Sequence, residues 1–151
     1  MSISELYHVG IVVPDLEAAC ARFTTLLGAK WGPIVAREVE LQDGDGVDHV
    51  ELHKVCYSKE PPYIELMQEL PGSTWVCNEF SNIHHIGFWS DDLAADSLSL
   101  IGAGCPLEMA GRNGGAAPAA HVNHFDPLGI RIEYVDAIQK PMLEAFLTSK
   151  A

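Results

Sequence analysis

An internal repeat constrains the fold of this chain more than any other sequence feature. The segment HVGIVVPDLEAA, which starts at His8, matches HIGFWSDDLAAD, which starts at His85, at a constant offset of 77 residues. A second pair of segments, YIELMQ around Glu65 and RIEYVD around Glu133, extends the match. The repeat makes His85, rather than the adjacent His84, the counterpart of His8. Strand alternation should send His84 to the opposite face, where we expect a structural role.

Both copies have the same predicted order of elements. Residues 6–13 form a β-branched run that predicts a strand, and Asp15 can cap a following helix that ends at Gly28. The rest of the first copy predicts strands at 31–38, 47–57 and 62–69. The second copy predicts a strand at 83–90, a helix at 92–103, and strands at 106–111, 119–125 and 129–136. We therefore expect an α+β fold built from two βαβββ modules.

The length of 151 residues and the hydrophobic content of 48% fit one domain with a sizeable core. That domain, 1–151, would contain two repeats at about 6–69 and 83–136, the linker 70–82 and a short C-terminal helix at 139–150. The N-terminus does not have the pattern of a signal peptide, and no apolar run reaches the length of a membrane span. We therefore expect a cytoplasmic protein with no membrane partner.

The charge balance limits the classes of partner. The net charge is −12, from 21 acidic and 9 basic residues, and the basic residues do not cluster along the sequence. This argues against a nucleic acid or an anionic membrane as a partner, because both are bound by concentrated positive charge. A polyanionic substrate such as a coenzyme A thioester is not excluded, but it would need local Arg or Lys residues.

Two histidines and two glutamates occupy equivalent strand positions in the two copies. Glu65 and Glu133 alternate with apolar neighbours, and His8 and His85 each lie within a strand. A single mid-strand His or Glu is usually structural or solvated, but a fold does not require both types to recur together. If the four side chains converge about a pseudo-twofold axis, their nitrogen and oxygen atoms suit one divalent ion: Zn, Ni, Co, Mn or Fe(II).

Other histidines are weaker candidates for a shared site. His49, Glu51 and His53 alternate onto one strand face, where a rival metal cluster is conceivable but a wet polar face is favoured. His121 and His124 are three residues apart, which places them on opposite faces of a strand.

Three motifs resemble the vicinal oxygen chelate superfamily, which includes glyoxalases, bleomycin-resistance proteins and extradiol dioxygenases. They are H-V-G-I-V-V-P-D-L, I-H-H-I-G-F and F-D-P-L-G-I-R-I-E, and the likeness covers about residues 6–136. Within the superfamily the chain most resembles glyoxalase-like proteins of the methylmalonyl-CoA epimerase type. The resemblance implies two four-stranded sheets that curl into an open eight-stranded cup, with His8, Glu65, His85 and Glu133 as ligands of one divalent ion. At the position of Glu65, glyoxalase I also has glutamate, whereas the epimerases often have glutamine. The candidate ligand set therefore resembles that of glyoxalase I more closely.

The resemblance also implies a reaction class. In this superfamily the metal commonly binds substrate oxygens and stabilises an enolate, while a carboxylate removes a proton. We therefore expect a metal-dependent isomerase, epimerase or lyase acting on a small-molecule carbonyl compound, with Glu133 as the base and Glu65 acting on the opposite face. The alternatives are a metal-free binding protein of the bleomycin-resistance type and, ranked lower, an extradiol-type dioxygenase. A complete set of four candidate ligands favours catalysis.

The aromatic residues bear on substrate and assembly. Trp75 and Phe80 lie in the linker and are expected to border the cup. Together with the shortage of basic residues, they predict a substrate that is larger and more apolar than methylglyoxal–glutathione. We also expect a homodimer, in which the two modules pair either within a chain or across the dimer.

Overall fold

The structure is a computed structural model that describes residues 6–79 and 81–148. The first module consists of β1 (Leu6–Val13), α1 (Leu16–Leu27), β2 (Val35–Asp43), β3 (Asp48–Tyr57) and β4 (Tyr63–Gln68). The second consists of β5 (Ile83–Ser90), α2 (Leu93–Gly102), β6 (Leu107–Gly111), β7 (His121–Phe125) and β8 (Arg131–Asp136). A 3-10 turn (Ala137–Gln139) leads into α3 (Lys140–Thr148). The predicted pair of βαβββ modules is confirmed.

The second strand lies further along the chain than the predicted 31–38. It begins at Val35, and Trp31 instead makes an isolated bridge to Ser58. Pro33 stands between them and has no backbone N–H to donate, so it interrupts strand pairing there. The end of the predicted helix 139–150 lies outside the described residues.

The two long helices start at equivalent aspartates. The side chain of Asp15 accepts a hydrogen bond from the backbone N–H of Ala18, and Asp92 does the same for Ala95. Gly28 ends α1 with φ of 69°, a left-handed conformation that favours glycine.

The eight strands form a ring in the order β1-β4-β3-β2-β6-β7-β8-β5, which confirms the expected curled sheet. In each module the first strand pairs in parallel with the last, β1 with β4 and β5 with β8. The modules join through the antiparallel pair β1 and β5, and a shorter pairing of β2 with β6 closes the ring. The two modules therefore pair with each other within one chain.

Apolar side chains divide between the outside and the inside of the ring. Outside, α1 and α2 each cover one module, and the buried residues beneath them are Val13, Leu16, Cys56 and Leu66 for α1, and Leu93, Ala110, Val122 and Tyr134 for α2. Inside lies a separate cluster of Val12, Leu41, Val55, Met67, Trp75 and Met109. Polar side chains occupy other parts of the inner wall. Across the described ranges, none of the helices has the length and apolar character needed to cross a bilayer.

Candidate metal centre

Four neighbouring strands each contribute one predicted site residue to the inner wall. In ring order these are Glu65 on β4, His8 on β1, His85 on β5 and Glu133 on β8. All four are buried, the histidines at 0% and 2% relative exposure and both glutamates at 7%. The fold therefore brings together every residue that the sequence singled out for metal binding.

The donor atoms of these four side chains lie close together. The two histidine Nε2 atoms are 2.7 Å apart, and Oε2 of Glu133 lies 3.1 Å from His8 Nε2 and 3.5 Å from His85 Nε2. Oε2 of Glu65 lies 3.5 Å and 3.2 Å from the same two atoms. Two ligands that each lie about 2.1 Å from one ion are separated by about 3.0 to 3.4 Å in octahedral or tetrahedral geometry. The spacing of the donor atoms therefore fits a single divalent ion.

The electrostatics of the cluster also suit a cation. Burial alone would lower the pKa of His8, but its hydrogen bonds to Glu133 and Glu65 outweigh burial and raise that pKa to about 9. Burial would raise the pKa of both carboxyls, yet the neighbouring histidines lower the pKa of Glu133 to about 2 and hold that of Glu65 well below its usual range. The carboxylates thus stay charged and help to retain a proton on His8, and a bound divalent cation would take the place of that proton.

Each imidazole of the pair lies against a glycine of the opposite module. A Cβ atom on Gly10 would lie 2.0 Å from Cε1 of His85, and a Cβ on Gly87 would lie 2.2 Å from Cε1 of His8. No side chain fits at either glycine while the rings keep these positions. The sequence carries a signal for this close approach of ring and backbone in the repeated His-x-Gly pattern, His8 to Gly10 and His85 to Gly87. Glycine inside a strand often marks a site where another group approaches the backbone closely.

Equivalent bulges interrupt the pairing of β1 with β5. The register passes from Leu6–Phe88 to His8–Gly87, which leaves Tyr7 as an extra residue. It then passes from Gly10–His85 to Ile11–Ile83, which leaves His84 as an extra residue at the position that the repeat equates with Tyr7.

The second bulge shows that one expectation was wrong. A bulge breaks strict alternation, so His84 does not face away from His85. Its Nδ1 lies 3.0 Å from Nδ1 of His85. Tyr7 likewise packs edge-on against His8, with ring centroids 4.3 Å apart.

The contacts of His84 fix the proton position on His85. His84 Nε2 lies 3.0 Å from the carbonyl oxygen of Thr74, which can only accept, so His84 carries its hydrogen on Nε2. Burial, together with the charge of Arg131, lowers the pKa of His84 to about 3. Neutral His84 therefore accepts from Nδ1–H of His85, and Nε2 of His85 keeps a lone pair directed at the cluster. This is the tautomer that binds a metal through Nε2.

Glu65 has an additional partner on β3. The hydroxyl of Tyr57 donates to Oε1 of Glu65, while Oε2 faces the two histidines. Burial and the charge of Glu65 raise the pKa of Tyr57 well above its usual value, so the phenol remains a donor. In the described part of the chain, Glu133 has only His8 and His85 as ion-pair partners, so it is the less restrained of the two carboxylates.

The rival cluster on β3 lies on the inner wall rather than on a wet outer face. Glu51 Oε2 accepts from His53 Nε2 at 2.8 Å and from the indole N–H of Trp75 at 3.0 Å, and Glu51 Oε1 lies 3.4 Å from His49. Trp75 in turn stacks on His84 at a centroid distance of 4.3 Å. In the residues that the structure describes, the set of His, Cys, Asp and Glu side chains close enough to hold an ion contains His8, His85 and Glu133. It contains neither the predicted fourth ligand, Glu65, nor any residue of the β3 cluster.

The remaining candidates separate as their spacing predicted. His124 hydrogen bonds to Ser97 of α2 on the outer face. His121 lies inside the ring, where burial lowers its pKa and the charge of Glu133 partly opposes that shift. Trp75 borders the inner site, as expected. Phe80, the other aromatic residue expected there, lies outside the described residues.

The fold and the cluster define a class of protein. Residues 7–139 match the family described as the Glyoxalase/Bleomycin resistance protein/Dioxygenase superfamily, and the chain belongs to this superfamily.

Particular relatives narrow the comparison. The chain is 31% identical over 143 residues to an ethylmalonyl-CoA/methylmalonyl-CoA epimerase of Cereibacter sphaeroides, covering 88% of this chain and 99% of the relative. Its fold is similar to that of the methylmalonyl-CoA epimerase from Mycobacterium tuberculosis, with a TM-score of 0.61, 22% identity, and coverage of 90% and 91% of the two chains. It is also similar to a Streptomyces coelicolor methylmalonyl-CoA epimerase variant in complex with 2-nitronate-propionyl-CoA, with a TM-score of 0.62, 17% identity, and coverage of 89% and 98%.

Proposed function

We propose that this protein is a divalent-metal-dependent epimerase of 2-carboxyacyl-CoA thioesters, with methylmalonyl-CoA and ethylmalonyl-CoA as the candidate substrates. The observation that carries the proposal is the convergence of two imidazoles and two carboxylates, with donor atoms 2.7 to 3.5 Å apart, on the inner wall of the ring. The 31% identical relative, named for epimerisation of these two thioesters, supports this substrate class.

His8, Glu65, His85 and Glu133 would hold the ion. When bound, a divalent ion supplies Lewis-acid polarisation of a carbonyl, which acidifies the adjacent C–H bond. His8 and His85 give the site neutral nitrogen ligands, and the two carboxylates balance the charge of the cation. All four side chains are buried, which would limit the access of water to a substrate carbon held beside them.

Glu133 is the candidate base that removes the α-proton. It is buried, its pKa is lowered to about 2, and it lacks the second anchor that Tyr57 gives to Glu65. A charged carboxylate with a free lone pair can accept a proton from an acidified C–H bond.

Glu65 is the candidate group on the opposite side. In ring order β4-β1-β5-β8, Glu65 and Glu133 flank the histidine pair from its two sides. Epimerisation requires removal of a proton from one face of the carbon and its return to the other face. Two carboxylates on opposite sides of one site would suit this requirement, with one ionised to accept the proton and the other already protonated to return one. The Tyr57 hydroxyl keeps its own proton and orients Glu65 by a hydrogen bond.

The test combines metal analysis with proton exchange. The purified protein is stripped with a chelator and reloaded separately with Ni, Co, Mn, Zn or Fe, and elemental analysis gives the stoichiometry. Each form is then incubated with methylmalonyl-CoA or ethylmalonyl-CoA in deuterium oxide, and mass spectrometry follows deuterium at the α-carbon. We expect about one ion per chain and metal-dependent deuterium incorporation with inversion.

Two results would overturn the proposal. One is the absence of bound metal under every loading condition, and the other is a metal-loaded protein that exchanges no α-proton in either thioester. Tight binding of the thioesters by the metal-free protein without exchange would instead favour the binding-protein alternative. The homodimer and the cytoplasmic location stay predictions from the sequence. The fairly apolar substrate expected from the sequence is also untested, and the proposed thioesters differ from it because they carry a charged carboxylate.

A further inference from the structure

Asn123 on β7 is a buried polar side chain whose amide is unpaired. Its relative exposure is 0%, and neither Nδ2 nor Oδ1 has a hydrogen-bond partner among the described residues. The described chain has four such buried, unpaired side-chain atoms, and two of them belong to this one residue. Buried amides are nearly always hydrogen-bonded, because an unpaired one loses its water without compensation, so this exception calls for an explanation.

The amide faces the inside of the ring beside the candidate metal centre. Asn123 pairs in register with Glu133 on β8 and with Met109 on β6, and cross-strand partners direct their side chains to the same face. Glu133 belongs to the centre, and Met109 to the apolar cluster inside the ring. The next residue, His124, points the other way and contacts Ser97 of α2. The unpaired amide is therefore on the inner wall of the ring, on the strand next to the one that carries Glu133.

We propose that Asn123 is a substrate-binding residue whose Nδ2–H group donates a hydrogen bond to a carboxylate or thioester oxygen of a substrate held beside Glu133. This inference rests on the proposed epimerase function and specifies the substrate class as one rich in oxygen acceptors. A carboxylate accepts a stronger hydrogen bond than a neutral group does, so the amide favours 2-carboxyacyl thioesters over thioesters without the carboxylate. The ligand thus supplies the hydrogen-bond partner that the described residues do not provide.

Asn123→Leu provides the test, because leucine has a similar size and no polar atom. Two quantities are measured on the metal-loaded protein: the KM for methylmalonyl-CoA, and the melting temperature without substrate. We expect KM to rise about tenfold or more, as for loss of a charge-assisted hydrogen bond. We expect the melting temperature to stay level or rise, because the variant removes an unpaired buried amide.

Ser97→Ala is the matched control. Ser97 is also buried and polar, but its hydroxyl pairs with Nε2 of His124 at 2.9 Å on the outer face. Its loss leaves Nε2 of His124 without its partner, so the melting temperature should fall while KM stays unchanged. Asn123→Leu should therefore raise KM without lowering the melting temperature, whereas Ser97→Ala should lower the melting temperature without changing KM.

The outcomes are distinguishable. An unchanged KM in Asn123→Leu overturns the inference, and so does a fall in melting temperature like that of Ser97→Ala, which would show that a structural water satisfies the amide. If the wild-type protein epimerises neither thioester, the proposed function fails. In that case calorimetric titration with malonate, which offers the same oxygens, decides the role of Asn123: weaker binding by the variant supports the role, and equal binding overturns it.

Discussion

Gly10→Ala should displace a metal-site histidine without changing any polar group. The new Cβ atom would lie 2.0 Å from Cε1 of His85, where an ordinary contact is 3.4 to 4 Å. The imidazole must therefore move by about 1.4 Å, whereas metal–ligand distances tolerate only about 0.2 Å. Gly10 does not have a left-handed φ, so the effect is steric rather than a consequence of backbone strain.

The expected loss of metal affinity is at least about 100-fold. Changes to groups that merely orient a ligand cost about 10- to 100-fold, and displacement of the ligand itself should exceed that range. The assay is titration of the stripped protein with Co(II), with elemental analysis for stoichiometry and circular dichroism to verify the fold. Overpacking should also destabilise the metal-free protein by about 1–3 kcal/mol, which a urea titration measures separately.

Gly102→Ala is the control for this prediction. A Cβ at Gly102, the last residue of α2, meets nothing within 4 Å, and its φ is not left-handed. This variant should bind Co(II) as the wild-type protein does. If a folded Gly10→Ala variant also binds Co(II) with wild-type affinity, then the missing Cβ does not set the position of His85 and the reasoning fails.

Three further predictions concern the same cluster. Glu133→Gln should keep most of the metal by elemental analysis but slow α-deuterium exchange by about 100-fold or more, because the amide cannot accept the proton; exchange at the wild-type rate would rule out this base. His84→Phe can retain the stack on Trp75 but loses the acceptor for His85 Nδ1–H, so Co(II) affinity by calorimetry should fall about 10- to 100-fold; an unchanged affinity would contradict the tautomer assignment. For the metal-free protein, the stability contribution of His8 is complete below pH 6.5 and is lost as pH rises through about 9, and that of Glu133 is complete above pH 4.5 and is lost as pH falls through about 2. The contribution of this cluster to the urea midpoint of unfolding should therefore be largest between about pH 4.5 and 6.5. A midpoint that rises steadily from pH 6.5 to 9 would show that the predicted loss of stability on deprotonation of His8 is wrong.

The architecture could be predicted from local patterns. Offset matching of the segments at His8 and His85 indicates two modules, alternation gives the strands, and Asp15 and Asp92 mark the starts of α1 and α2. These signals are readable because each depends on neighbours in the sequence. The misplaced start of β2 also has a local cause, Pro33, which the prediction did not take into account.

The candidate ligand set was predictable for a related reason. His8, His85, Glu65 and Glu133 recur at equivalent positions, and a duplicated module places equivalent positions around one axis. The equivalence predicts convergence without giving any distance. His84 shows the limit: alternation predicted the wrong face, because a bulge depends on the register of the partner strand and not on the sequence of β5 alone.

The sequence alone therefore determined the modules, the strand faces and the four residues that meet. Only the tertiary structure decided which side chains touch across the ring: the imidazoles over Gly10 and Gly87, and Glu51 with Trp75. It also left the amide of Asn123 without a partner among the residues that the structure describes. The physical reason is that alternation and capping arise within a few residues of chain, whereas steric fit and hydrogen-bond satisfaction inside the ring depend on strands far apart in the sequence.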